Sequence, residues 1–248
     1  MLVCMKALIL TVALLSTLPA AAQQPVVWRF DNLTSIGGAH VTTLGSPAVV
    51  DTNLGKAIHF EGHGASSNKP ETGNPTGDAL FIDQAPLAGA TTYTFEVIFR
   101  PSSQGAPAQR FFHMQETGSQ SRRMFELRIV DHQWCLDSVA IDAPASGGPQ
   151  AGAAAHRAIT LNCDAAHLHP LDQWYAVTAT WDGTTIRGYI NGQLQGEAAG
   201  TLSPLGPGTT SVGTRMDKRD FFTGDVFSAR FTPRVLSADH FLTVPTKP

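Results

Sequence analysis

Apolar and polar side chains alternate most regularly along residues 91–100, TTYTFEVIFR. Successive side chains of a β-strand point to opposite faces, so this pattern predicts a strand with one apolar face. Pro101 ends the run because proline has no amide hydrogen to donate to a neighbouring strand. Shorter runs of β-branched and aromatic residues predict further strands at 26–31, 56–60, 79–82, 110–116, 124–131, 134–139, 158–163, 210–213 and 227–232.

Two tight-turn signals lie between residues 174 and 200. Asp182-Gly183 and Asn191-Gly192 each separate β-rich runs. Glycine accepts positive φ freely, and Asn or Asp accept it at low cost, so these pairs suit hairpin turns. The segment therefore predicts a three-stranded antiparallel meander. Since at most one helical turn is expected, at 237–242, the predicted fold class is all-β.

The N-terminal segment has the pattern of a secretory signal peptide. Lys6 precedes an apolar run at 7–18, which small residues at 20–22 follow. The run is too short to cross a bilayer, so we expect removal of residues 1–22 with cleavage near Ala22. The mature protein is then expected to be secreted or periplasmic, to form one domain over 23–248, and to contain no membrane span.

Charge and cysteine content narrow the function further. The net charge is −3 at pH 7 and no basic stripe occurs, which argues against a nucleic-acid partner. Cys4 leaves with the signal peptide, so Cys135 and Cys163 remain as an even pair in an exported chain. Such a pair predicts one structural disulfide. It would close a loop of roughly 30 residues and stabilise the fold by about 3–4 kcal/mol in the chain-entropy model.

Several short segments occur in an order typical of one family. They are Phe30-Asp31, GKAIHFEG at 55–62, YTFEV at 93–97, WYAV at 174–177, YING at 189–192, FTGDV at 222–226 and RFTPRVLSAD at 230–239. Together they resemble the LamG-like concanavalin A-type lectin/glucanase superfamily over nearly the whole mature chain, apart from an insertion at about 137–170. The resemblance implies a jelly-roll sandwich of two antiparallel sheets, one concave and one convex. Lectins, hydrolases, lyases and adhesion modules share this fold, so the fold does not settle activity.

The same resemblance implies a metal site. In relatives a structural Ca²⁺ often bridges the N-terminal and C-terminal strands, and Asp31 and Asp225 match those positions. A carbonyl oxygen of the Glu61-Gly62 turn is a further expected ligand, because Ca²⁺ takes six to eight oxygen ligands. The alternative is that Asp31 and Asp225 only cap turns.

Polar side chains that share strand faces supply a candidate ligand groove. Such groups bind sugars and uronates through hydrogen bonds and ring stacking if they meet on the concave sheet. In residues 110–116, strict alternation places His113 and Gln115 on one face of the strand and Arg110 on the opposite face. The alternative is an ordinary solvated face with cross-strand Glu/Arg pairs. The candidates are Glu96, Arg100, His113, Gln115, Glu126, Arg128, Arg187 and Tyr189.

Catalysis has less support in the sequence, and we assign no catalytic residue. No strand of the Glu-x-Asp-x-Glu type occurs, and Glu96 and Glu126, if they face each other, each have a nearby arginine that favours the ionised form. We therefore expect a carbohydrate- or glycoconjugate-binding domain whose partner is a polysaccharide or a glycoprotein glycan. The alternatives are a polysaccharide lyase or glycoside hydrolase on the concave face, with a lyase using the Arg, His, Gln and Tyr candidates, and a protein-binding adhesion module.

Overall fold

The computed structural model describes residues 24–62, 77–143 and 157–246. The expected signal peptide and the Ala/Gly/Pro-rich part of the insertion lie outside these ranges. So does most of the segment 64–78, whose Ser, Asn, Pro and Gly content predicts a polar loop. The described chain forms β1 Val26–Arg29, β2 Ser35–Ile36, β3 Ala39–Leu44, β4 Ala48–Thr52, β5 Gly55–Phe60, β6 Ala79–Ile82, β7 Tyr93–Pro101, β8 Ala108–Glu116, β9 Arg122–Val130, β10 Gln133–Asp142, β11 Arg157–Leu161, β12 His169–Pro170, β13 Tyr175–Trp181, β14 Thr185–Ile190, β15 Gln193–Ala199, β16 Gly208–Val212, β17 Gly224–Thr232 and a 3₁₀ turn at Ala238–His240.

These strands form two antiparallel sheets. The eight-stranded sheet runs β15-β14-β13-β7-β17-β5-β4, and β1 also pairs with β17. The nine-stranded sheet runs β11-β10-β9-β8-β16-β6-β3-β2, and β12 also pairs with β10. The all-β jelly-roll sandwich predicted from the sequence is confirmed.

Aromatic rings from both sheets fill the space between them. Phe95 of β7 stacks on Phe125 of β9 with ring centroids 4.4 Å apart, and Phe99 stacks on Phe111 of β8 at 4.3 Å. All four side chains belong to one buried cluster with residues of every long strand. Because the apolar positions of β7 point into this core, its alternate residues face outward, as the sequence pattern predicted.

The predicted meander is β13, β14 and β15, paired in that order. Asn191 and Gly192 both have positive φ, 48° and 79°, as a two-residue hairpin turn requires. Four short strands, β2, β3, β4 and β12, were not predicted. The Gly37-Gly38 pair between β2 and β3, with φ of 60° and 83°, is a hairpin signal for the first two.

Cys135 and Cys163 form the predicted disulfide, with Cα atoms 5.2 Å apart. Cys135 lies in β10 and Cys163 follows β11, and these two strands pair as a hairpin. The bond therefore ties the open end of this hairpin.

The C-terminal segment crosses the outer face of the eight-stranded sheet and is held there by a buried carboxylate. Glu96 is fully buried and accepts hydrogen bonds from the Arg230 guanidinium and, at 2.6 Å, from the Leu242 amide. Leu242 and Val244 also pack on a small apolar cluster around Ile98. Glu96 therefore serves the fold by fixing the last segment of the chain.

We expect Glu96→Ala to destabilise the protein by about 3–5 kcal/mol, because the substitution leaves Arg230 without its buried partner. Thermal or urea unfolding followed by circular dichroism measures this change. The control is Glu197→Ala, which removes an exposed ion pair with Arg187 and should cost less than about 1 kcal/mol. Equal effects of the two substitutions would contradict the structural role of Glu96.

Candidate functional site

The structure does not bring the eight candidate groove residues together. Glu96, Arg100, Arg187 and Tyr189 lie on the eight-stranded sheet, whereas His113, Gln115, Glu126 and Arg128 lie on the nine-stranded sheet. The two sheets pack through their inner surfaces, so their outer faces are on opposite sides of the molecule. One groove of all eight residues therefore does not form, and Glu96 does not face Glu126. Alternation gives the face of each strand but not the sheet to which the strand belongs.

The candidates on the eight-stranded sheet make contacts within the protein. Arg100 pairs with Asp225 at 2.7 Å and lies over the Trp174 ring. Arg187 pairs with two carboxylates of the meander, those of Asp182 and Glu197. The remaining two candidates contact the C-terminal segment, Glu96 as described above and Tyr189 through an edge contact with Phe241. These four side chains therefore support the fold on this face.

Asp225, the expected calcium ligand, is already paired with two cationic side chains. Its Oδ1 lies 2.9 Å from Nδ1 of His59 and its Oδ2 lies 2.7 Å from the Arg100 guanidinium. The hydrogen bond to Asp225, opposed by burial and supported by Glu61, raises the pKa of His59 to about 9. Burial alone would raise the pKa of Asp225, but His59 and Arg100 outweigh it and lower this pKa. The carboxylate is thus ionised, and its charge is compensated by protein groups.

Asp31 lies in an exposed turn, where its Oδ1 accepts a hydrogen bond from Asn32. Within the described ranges, no group of three or more His, Cys, Asp or Glu side chains is arranged to hold a metal ion. A Ca²⁺ ion at Asp225 would have to displace a protonated imidazole and a guanidinium. The residues at Asp31 and Asp225 therefore do not fit the expected calcium site.

The outer face of the nine-stranded sheet carries a network of ion pairs. Arg110 contacts Glu126 at 3.0 Å and Asp220 at 2.6 Å, and Arg128 contacts Asp137 at 2.7 Å. Burial raises the pKa of Glu126, although Arg110 opposes this effect. The network anchors the 213–223 loop, which contributes Asp220, to β8 and β9.

Arg110 belongs to this face because of a β-bulge. The register of β8 against β9 shifts between Arg110 and Phe112, and Phe111 and Phe112 both point into the core. The bulge reverses the alternation, so Arg110 shares the outer face with His113. The prediction that Arg110 lies on the opposite face is therefore wrong, and two adjacent phenylalanines in one strand were the signal for the bulge.

A pocket of about 190 Å³ opens beside this network. It is lined by His113, Gln115, Gln120, Arg215, Met216 and Asp217. The sheet supplies the two residues of β8, and the loop after β16 supplies the last three. His113 and Gln115 are thus the predicted candidates that lie in a described pocket on this face.

His113 is buried in the pocket wall in its neutral form. Its Nδ1 accepts a hydrogen bond from the Met216 amide at 3.0 Å, so the ring hydrogen is on Nε2. Burial, followed by the charges of Arg122 and Arg215, lowers the pKa of His113 well below its ordinary value, and a hydrogen-bonding contact with Gln115 opposes the shift. Nε2 makes no hydrogen bond of normal geometry to the part of the chain that the structure describes.

Arg215 lines the pocket and Arg122 lies near it, and neither was among the predicted candidates. Arg122 of β9 is paired in register with Gln115, and burial together with Arg215 lowers its pKa to about 10. In the loop, Asp217 contacts both Arg215 at 3.4 Å and Arg219 at 3.0 Å. The signal in the sequence was the charged run RMDKR at 215–219, which has no apolar periodicity and follows a predicted strand.

Comparison with known proteins agrees with this architecture. The sequence model Laminin_G_3, described as the concanavalin A-like lectin/glucanases superfamily, matches residues 73–240. No curated protein sequence matches this chain significantly.

Solved structures share the fold at low sequence identity. Domain 4 of AbnA, a GH43 extracellular arabinanase from Geobacillus stearothermophilus solved with arabinotriose, has a TM-score of 0.57 and 16% identity, covering 86% of this chain and 94% of that domain. The binding domain of botulinum neurotoxin DC, solved with rat synaptotagmin II and also with SialylT, has a TM-score of 0.54 and 13% identity, covering 87% of this chain and 49% of that one. At these identities the likeness shows the fold alone.

The His59–Asp225 pair makes stability depend on pH in the alkaline range. The pKa of His59 is raised to about 9 in the folded protein, above its ordinary value of 6.5. The stabilisation is therefore complete below about pH 6.5 and is lost as the pH rises through about 9. We expect the melting temperature to fall between pH 7 and pH 10. The substitution His59→Asn should remove most of that fall. His113 does not contribute to this fall, because its lowered pKa keeps it neutral between pH 7 and pH 10. Identical pH profiles of the two proteins would contradict the assignment.

Because Asp31 and Asp225 do not fit a calcium site, we expect the same melting temperature with EGTA and with added calcium chloride. A ligand that binds the native state would raise the melting temperature. Differential scanning calorimetry at pH 7 measures this. A clear rise with calcium that Asp225→Asn abolishes would restore the site predicted at Asp31 and Asp225.

Proposed function

The chain belongs to the concanavalin A-like lectin/glucanases superfamily, and from that membership we propose that it is an exported carbohydrate-binding domain without catalytic activity. The binding site is the pocket beside β8 and β9 on the outer face of the nine-stranded sheet. The resemblance noted in the sequence is confirmed by the family match.

The observation that carries the proposal is the pocket formed by His113, Gln115 and Gln120 with the 215–217 segment. Its lining offers amide, imidazole and guanidinium groups that exchange hydrogen bonds with sugar hydroxyls. A buried donor whose hydrogen bond is poorly formed costs free energy, and the Nε2 hydrogen of His113, which is in contact with Gln115, has no hydrogen bond of normal geometry among the described residues. A ligand hydroxyl or carboxylate that accepts this hydrogen removes the cost. The opposite sheet face lies under the C-terminal segment and presents saturated ion pairs, so it is less suited to a ligand.

Neighbours of the same fold support a carbohydrate as the partner. The arabinanase domain was solved with arabinotriose, and another neighbour concerns a botulinum neurotoxin type C that interacts with two ganglioside molecules. We extend this to a polysaccharide or a glycoprotein glycan for the present chain, because its pocket has hydrogen-bonding groups of the kind that sugars need.

The disulfide supports export, since such bonds persist in oxidising compartments. Among the described residues, no helix has the length and apolar character needed to cross a bilayer. The leader-like pattern at residues 1–22 adds to the same proposal.

Two features support binding without catalysis. Glu126 and Asp137 are cross-strand neighbours on the proposed binding face, and each is held by an arginine. Glu126 is only 3% exposed, so its carboxyl group is poorly placed to reach a glycosidic oxygen. A glycoside hydrolase requires two such groups that contact the substrate on either side of the scissile bond.

The test uses a panel of neutral and acidic polysaccharides. Binding is measured by microscale thermophoresis, and cleavage is measured from new reducing ends and from absorbance at 235 nm. We expect binding without products. Gln115→Ala should weaken binding about tenfold, since a hydrogen bond is worth about 1 kcal/mol or more.

The matched control is Arg187→Gln, on the opposite sheet face, which should leave affinity unchanged. Reducing ends or unsaturated products would favour the hydrolase or lyase alternatives. Complete absence of glycan binding would overturn the proposed function and leave the adhesion alternative.

A further inference from the structure

We propose that the outer edge of β15 binds an extended segment of a partner protein. The segment adds to the sheet as a further strand and inserts one apolar side chain into a pocket beside the edge. β15, Gln193–Ala199, is the last strand at one end of the eight-stranded sheet. His113 lies on the other sheet, so binding at this edge is independent of the carbohydrate-binding function proposed above.

The main chain of β15 is paired on one side. In the described part of the chain, β14 is the strand that pairs with it. The Gly200 amide donates a hydrogen bond to the Thr184 carbonyl at 2.8 Å. Hydrogen bonding alternates along an antiparallel pair, so the backbone groups of Glu197 and Ala199 point away from β14. Such an edge is a template for the addition of another strand.

A pocket of about 230 Å³ opens beside this edge, between the two sheets. Its apolar lining includes Leu136 of β10 and Leu161 of β11. Gly188 lets these two side chains approach β14, because a Cβ atom there would lie 2.8 Å from Leu136 and 2.9 Å from Leu161. Gly196, which is paired with Gly188, lines the pocket, and a Cβ atom added to it would meet no atom within 4 Å. A side chain of an added strand can therefore reach the apolar floor between the sheets.

The opposite face of the same edge carries an exposed apolar side chain. Leu194 is 47% exposed. It is paired in register with Tyr189, whose ring contacts Phe241 on the outer face of the sheet. Alternate residues of an added strand point to opposite faces, so one side chain can enter the pocket while a neighbouring one covers Leu194. The edge thus offers apolar contacts on both faces of the sheet.

Charge favours a basic partner segment. Among the described residues that line the pocket, two are carboxylates, Asp164 and Glu197, and none is a lysine or arginine. Asp164 lies 3.3 Å from His167. Glu197 contacts Arg187, which also contacts Asp182. Even with the histidine protonated, three carboxylates face two cations in these contacts. A lysine or arginine near the inserted apolar residue compensates the remaining negative charge.

A second copy of this chain fits the edge less well than a different protein does. The residues of β15 that face the core are small, Gly196 and Ala198. The large apolar side chain of the strand, Leu194, lies on the other face. If β15 paired with its own copy, it would therefore present small residues to the pocket and leave it unfilled. A partner segment with a larger apolar residue at this position fills it.

A display library of short random peptides, selected against the wild-type protein, tests this inference. We expect the enriched peptides to carry one large apolar residue with a lysine or arginine near it. An enriched peptide, once synthesised, should protect the amide hydrogens of Glu197 and Ala199 from exchange, as followed by NMR. N-methylation of one alternate set of its backbone amides should weaken binding at least about tenfold, whereas N-methylation of the other set, which faces away from β15, should be tolerated.

A variant places the effect in the pocket. Gly196→Val should weaken binding of the synthesised peptide at least about tenfold, because the added side chain occupies the pocket. Gly196 does not have positive φ, and valine suits a strand, so we expect this variant to fold. The matched control is Ala48→Val in β4, which adds the same side chain to the exposed strand at the other end of the sheet and should leave affinity unchanged. If Gly196→Val unfolds, the two N-methylated peptides test the wild-type protein in its place.

Several results would overturn the inference. They are enrichment of no peptide over a blank surface, equal peptide affinity of the wild-type protein and a folded Gly196→Val variant, and amide protection on another strand. A dimer that Gly196→Val dissociates, measured by sedimentation velocity, would assign the edge to a second copy and also reject a different partner. Peptide binding at β15 together with a polysaccharide panel in which nothing binds would reject the carbohydrate-binding function and support the strand-addition edge.

Discussion

Aromatic packing between the two sheets determines what the rest of the molecule can do. The stacked pairs Phe95–Phe125 and Phe99–Phe111 join β7 to the nine-stranded sheet from opposite sides of the core. Rings of this size fit only when the apolar positions of each strand point inward, so they fix the strand faces as well as the sheet separation. The eight strand residues predicted as groove candidates face outward because an aromatic or aliphatic neighbour on the same strand points inward.

This constraint explains which features were predictable from the sequence. Alternation in β7 and the turn pairs at 182–183 and 191–192 report local geometry, so the strand faces and the meander followed from short segments. The pairing of Cys135 with Cys163 followed from their being the two cysteines left after the leader. The sheet to which a strand belongs, however, depends on pairings between segments that are distant in sequence, such as β7 with β17. Alternation within one strand carries no information about these pairings. Glu96 and Glu126 each lie between two apolar residues of a long strand, yet they lie on opposite sides of the molecule.

The bulge at Phe111 shows how the core overrides local alternation. Phe111 and Phe112 both point into the core between the sheets, whereas adjacent side chains of a regular strand point to opposite faces. The extra residue brings Arg110 onto the outer face, where it contacts Glu126 and Asp220. Asp220 lies in the loop that also carries Arg215, so core packing at one position of β8 helps to place the loop over His113. The pocket could not be read from the sequence because it depends on this bulge and on a loop without periodicity.

The two outer faces differ in what their charged side chains contact. On the eight-stranded sheet the buried Glu96 contacts both Arg230 and the C-terminal segment, and Asp225 contacts two cations. A ligand there would have to break formed ion pairs, and breaking a buried pair is costly. On the nine-stranded sheet, burial and then the charge of Arg215 lower the pKa of Arg122, and Arg215 itself lines an open pocket beside the buried His113. The same residue types thus hold the C-terminal segment in place on one face and line a pocket on the other.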